Sequence, residues 1–202
     1  MLSGKTSVLI LWASITIIAG CNGTNIMHSK TSHHSGTIKV VVIGDSTVAT
    51  NPLESPQRGW GQCLQQHFDP SVIVENHARN GRSSKSFIDE GLWAKSLEQK
   101  PDYVFIQFGH NDQPGKGPER ETDPNTTYKE FLRRYIDESE AVGAKVVLLT
   151  SMERRKFDKN GHIIQSLKPW ADAAKQVAEE KGVFLIDLHD YSVGIFEKLG
   201  DN

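Results

Sequence analysis

The chain has 202 residues, 23 Lys and Arg against 25 Asp and Glu, and a formal net charge of −2. That length fits one domain with an ordinary core, and the balanced charge excludes the basic footprint of a nucleic-acid binder. Of the two cysteines, Cys21 falls in a leader-like region, so Cys63 has no partner for a disulfide within the domain.

The chain opens with Lys5 ahead of an apolar stretch, Val8 to Ala19. This is too short to span a bilayer and has the length of a secretory h-region. It closes on Ile18-Ala19-Gly20-Cys21, which resembles the bacterial lipobox. The resemblance implies that residues 1–20 are a leader and that Cys21 carries lipid. Residues 21–36, rich in Ser, Thr, Asn and His, read as a flexible tether to a domain at 37–202. The expected location is outside the cytoplasm, anchored through that lipid at a bacterial membrane or cell surface.

From Thr37 onward strands alternate with helices. β-branched and aromatic runs predict strands at Ile38–Ile43, Val72–Glu75, Tyr103–Phe108, Lys145–Thr150 and Val183–Asp187. Helices are expected near Trp60–His67, Ser84–Glu98, Thr127–Val142, Pro169–Lys181 and Ser192–Leu199. In the third of these, Phe131, Leu132, Tyr135 and Ile136 recur at the spacing of one buried face. The alternation predicts an α/β fold, a three-layer α/β/α sandwich around a five-stranded parallel sheet. With the flavodoxin-like strand order 2-1-3-4-5, the first strand lies between the second and third. Ligands of such sheets bind beyond the carboxyl ends of the strands, where the order switches.

Three polar segments follow those strands. Gly44-Asp45-Ser46-Thr47 follows the first, Asn80-Gly81-Arg82 the second and Gly109-His110-Asn111-Asp112 the third. Ser46 is the candidate nucleophile. The N–H groups of Ser46 and Gly81 and the side-chain amide of Asn111 are the candidate donors to an oxyanion. Gly81 suits such a place because a glycine lets backbone approach a ligand closely. Asp45 reads as a turn aspartate, and Trp60 as a core or loop anchor. Arg154 and Arg155 follow the fourth strand, where they are candidates to meet a substrate carboxylate. No Gly-x-Ser-x-Gly elbow, dinucleotide fingerprint or phosphate-binding loop is present. Neither a cofactor nor a metal is expected.

These segments resemble the SGNH (GDSL-type) hydrolases. With Gly59-Trp60-Gly61, Asn76-His77-Ala78, Gly81-Arg82-Ser83-Ser84, Arg154-Arg155-Lys156-Phe157-Asp158 and Leu185-Ile186-Asp187-Leu188-His189, the chain is similar to bacterial rhamnogalacturonan acetylesterases from about Ile38 to Asp190. The resemblance implies a monomeric serine esterase that removes acetyl groups from a pectin polysaccharide or oligosaccharide. Two other readings differ in class: an esterase for another substrate, such as xylan acetyl groups or lipid esters, and a glycan-binding surface lipoprotein without catalysis. The resembled family takes its general base from a C-terminal Asp-x-x-His. None of the eight histidines here follows an aspartate by three residues. The expectation is therefore a family member without its C-terminal segment, impaired for lack of that histidine.

Overall fold

The computed structural model describes residues 36–201. The expected leader, Cys21 and the expected tether up to residue 35 lie outside the described residues. Five strands form the sheet: β1 (Ile38–Gly44), β2 (Val72–Asn76), β3 (Tyr103–Gln107), β4 (Lys145–Leu149) and β5 (Phe184–Ile186). All neighbours are parallel and the order is β2-β1-β3-β4-β5.

Parallel strands need crossover connections, and these are α1 (Trp60–Cys63), α2 (Ser84–Asp89), α3 (Leu92–Leu97), α4 (Thr127–Ala141) and α5 (Lys168–Lys181), with α6 (Leu188–Leu199) after β5. A 3₁₀ turn, Leu64–His67, continues α1.

Register sets the two faces of the sheet. Val41, Val104 and Val146 lie side by side, as do Ile43, Ile106 and Leu148. They face Phe87, Trp93, Leu132, Tyr135, Ile136, Ala174 and Val177 in the larger core cluster. On the opposite face, Val40 and Val42 pack with Val48, Ala49 and Ala78, and Trp60 and Leu64 lie against them. Helices thus cover both faces, which is why the central strands read as continuous apolar runs.

Two element boundaries differ from the sequence expectation. The predicted helix over Ser84–Glu98 is two helices, because Gly91 adopts φ +71° between them. The last helix begins at Leu188 rather than Ser192, because the Asp187 carboxylate accepts the Asp190 N–H at 3.2 Å and caps it.

Candidate active site

At the carboxyl end of β1 the chain makes a tight turn, with the Val48 and Ala49 N–H groups donating to the Asp45 carbonyl. The turn is held from inside by a buried relay. Asp45 Oδ1 accepts from the Thr47 N–H at 2.9 Å and from Thr47 Oγ1 at 2.8 Å. Thr47 Oγ1 accepts from Gln107 Nε2 at 2.6 Å, and Gln107 Oε1 accepts from Trp60 Nε1 at 2.7 Å. Trp60 is therefore an anchor for the turn that carries Ser46. Glycines crowd Val48 within that turn. A Cβ on Gly44 would lie 2.6 Å from Val48 Cγ2 and from the Gln107 carbonyl, and one on Gly61 would lie 2.7 Å from the Val48 carbonyl. A Cβ on Gly59 would collide with the backbone of Val48 and Ala49.

The three strand tips meet. The Arg79 N–H donates to the Gly44 carbonyl at 3.0 Å, joining the β2 tip to the end of β1. Asn111 Nδ2 donates to the Arg82 carbonyl at 3.0 Å, joining the β3 tip to the same loop. Beneath them Asp112 accepts from the Ser84 N–H at 3.1 Å and from Thr122 Oγ1 at 3.0 Å, and its third donor is Ser84 Oγ. Ser83 and Ser86 close a reciprocal capping box at the start of α2.

This brings Ser46, Gly81 and Asn111 to one end of the sheet. Ser46 is exposed, Gly81 half-buried and Asn111 buried. Gly81 has φ +79° with open space where a Cβ would stand, so backbone conformation rather than crowding requires glycine. The N–H groups of Ser46 and Gly81 bind no acceptor among the described residues. An amide nitrogen has two hydrogens, so Asn111 keeps one after serving Arg82. This end of the sheet thus holds one free hydroxyl and three available N–H donors.

The other candidates lie farther along the same edge. Arg154 is half-buried, and its guanidinium donates to Gln113 Oε1 at 2.6 Å, Ser166 Oγ at 3.2 Å and the His110 carbonyl at 3.4 Å. It braces the loops after β3 and β4. Arg155 donates to the Gly200 carbonyl at 2.6 Å. Cys63 is a half-buried free thiol.

His189 is fully buried in the first turn of α6, 3.3 Å from Glu153 Oε2 and 3.0 Å from Asp190 Oδ1. Burial alone would lower its pKa. The Glu153 and Asp190 carboxylates outweigh that effect and raise it above the usual histidine value. No histidine makes a hydrogen bond to Ser46 Oγ among the described residues. Sequence reasoning missed the pairing of His110 with Asp45, whose side chains meet across 65 positions of sequence.

A parallel 2-1-3-4-5 sheet with Gly-Asp-Ser, a glycine turn and Gly-His-Asn-Asp on its first three tips defines the SGNH class of hydrolases. The chain belongs to the GDSL-like lipase/acylhydrolase family, which it matches over residues 42–201. Rhamnogalacturonan acetylesterase RhgT of Bacillus subtilis is 42% identical over 166 residues, 81% of this chain and 70% of that protein. The crystal structure of the YxiM protein of Bacillus subtilis superposes with TM-score 0.67 at 30% identity, over 81% of this chain and 47% of that one. An acetylxylan esterase from Geobacillus stearothermophilus shares the fold with TM-score 0.63 at 18% identity, over 80% and 81% of the two chains.

Proposed function

We propose that this chain is a serine acetylesterase acting on acetylated plant cell-wall polysaccharide, rhamnogalacturonan first. The observation that carries the chemistry is the exposed Ser46 hydroxyl on joined strand tips, with N–H groups of Ser46 and Gly81 that bind no acceptor among the described residues. Donors left unpaired at a strand end, where ligands of such sheets bind, suit a charge that appears only during reaction. The substrate reading is supported by the likeness to the Bacillus subtilis rhamnogalacturonan acetylesterase.

Ser46 Oγ attacks the acetyl carbonyl carbon. The carbonyl oxygen takes up negative charge and is held by the Ser46 N–H, the Gly81 N–H and the free hydrogen of the Asn111 amide. Collapse breaks the bond to the sugar oxygen, which leaves with the proton that Ser46 Oγ gave up to solvent on attack. Water then adds to the acetyl carbon, returns one proton to Ser46 Oγ and releases acetate and the other proton. The test is acetate release from acetylated rhamnogalacturonan. Ser46→Ala is expected to abolish it with the thermal melt unchanged, and Asn111→Ala to lower kcat by roughly 10²–10³. Full activity in Ser46→Ala would remove the assignment.

We also propose that the domain is a monomer held at a bacterial membrane surface through lipid on Cys21. The segment Ile18-Ala19-Gly20-Cys21 supports it. A fatty-acid probe fed to expressing cells should mark the wild type and leave Cys21→Ala unmarked. Equal marking of both would refute the anchor.

A further inference from the structure

The two carboxylate oxygens of Asp45 have different surroundings. Oδ1 is closed by two donors from Thr47. Oδ2 has no hydrogen-bond partner, although Asp45 is fully buried. An unmatched oxygen on a buried carboxylate is costly, so a native fold holds a donor near it. The group facing it is His110, whose Nδ1 lies 3.5 Å away and also lacks any partner. The His110 side chain is 13% exposed, so water does little to satisfy either atom. A shift of a few tenths of an ångström brings the pair to ordinary N–H···O distance. Hydrogen bonds around reacting groups are often long before substrate arrives and tighten afterwards.

An ionised carboxylate only accepts, so the proton between these atoms belongs on Nδ1. Asp45 directly precedes Ser46, and His110 directly precedes Asn111. The contact therefore links the turn that carries the nucleophile to the tip that carries the oxyanion amide. It also bears on charge. Asp45 is fully buried and directly precedes Ser46, whose N–H is a candidate oxyanion donor. An unscreened carboxylate there opposes a second negative charge, because Coulomb forces are strong away from water.

Given the reading of Ser46 as nucleophile, we propose that His110 is a positioning residue: its Nδ1–H, held by Asp45 Oδ2, fixes the spacing of Ser46 to Asn111 and turns a positive dipole toward the buried carboxylate. His110 does not touch the reacting atoms in this role and acts through Asp45.

The test uses the full chain. Imidazole ¹⁵N NMR of the wild type is expected to show His110 protonated at Nδ1 and hydrogen-bonded, with that signature lost in Asp45→Asn. This arm needs no turnover. In nitrophenolate release from p-nitrophenyl acetate, His110→Ala is expected to lower kcat by about tenfold or more and to leave KM within about twofold, the mark of misplaced groups rather than lost binding. His110→Asn puts an amide N–H where Nδ1 stands and should recover kcat to within about threefold of wild type, a rescue that packing alone does not predict. In the Asp45→Asn background, His110→Ala should add little.

A wild-type kcat in His110→Ala alongside an inactive Ser46→Ala overturns the proposal. So does a His110 Nδ1 that carries no proton. Wild-type release by Ser46→Ala instead overturns the nucleophile reading, and the NMR result then still decides the Asp45–His110 bond.

Discussion

Asp112 has no solvent contact and lies directly after the oxyanion candidate Asn111. Burial pushes its pKa up to about 7, against the pull of its hydrogen bonds from Ser84 and Thr122, and the charge of Asp45 adds to the rise. The sign for stability follows. A carboxyl whose folded pKa exceeds its unfolded value of 3.8 binds a proton in the folded protein that the unfolded chain has released. Its contribution to stability therefore falls as pH rises from about 4 to about 7. Asp112→Asn has no proton to lose. Urea unfolding of both proteins across that range should show wild type losing ground to the variant by up to about 4 kcal/mol. A constant difference between them would contradict the shift. That Ser46, Gly81 and Asn111 come to one end of the sheet was legible in the sequence because each sits in a short polar segment just after an apolar strand. The Asp45–His110 contact was not, since no local pattern reports which side chains face each other once two tips converge.

Among the elements, α6 is fastened by charge rather than by a broad apolar face. Asp187 accepts from Thr150 Oγ1 at 2.8 Å, and Thr150 Oγ1 accepts from the His189 N–H at 2.8 Å. Lys175 of α5 lies 2.6 Å from Asp187 and 2.9 Å from Asp190. Burial alone would raise the pKa of Glu153, but the His189 bond and the N–H groups of Leu167 and Arg154 lower it on balance. The hydrogen bonds from His189 and Lys175 hold Asp190 well below the usual carboxylate range. A raised histidine stabilises fully below its unfolded pKa of 6.5 and loses that effect as pH rises through its folded value. A lowered glutamate stabilises above 4.5 and loses that effect as pH falls through its folded value. The fastening is strongest between those limits. His189→Leu should cost roughly 3 kcal/mol near pH 6, as removal of one buried charge partner does. Melting curves should show the gap from wild type narrowing above pH 7. The sequence placed α6 late and joined α2 to α3 for related reasons. Asp187 reads equally well as a strand end or a cap, and Gly91 leaves the apolar spacing of Ser84–Glu98 intact while its left-handed backbone breaks the helix.

For the whole molecule, layering and strand order were legible because a parallel sheet buried on both faces leaves few arrangements for five apolar runs. What periodicity does not supply is a base. Ser46 Oγ is exposed beyond the end of β1 with no imidazole bonded to it among the described residues, and a neutral hydroxyl is a weak nucleophile. Acetate release by the 202-residue chain should therefore be slow and should rise with added free imidazole, after subtraction of the same reaction with Ser46→Ala. A fast rate that imidazole leaves unchanged would mean that one of the chain's own histidines serves, His110 or His189 first. The glycines around Val48 have a bearing on evolutionary change. Gly44, Gly59 and Gly61 leave no room for even a methyl group, so the inner wall of the turn that carries Ser46 is closed to variation. Across the same turn, the segment 51–58 leads outward, with Leu53 84% exposed and free to vary without disturbing the core. Side chains can therefore be exchanged along the outer rim at 51–58 while the turn that carries Ser46 keeps its shape.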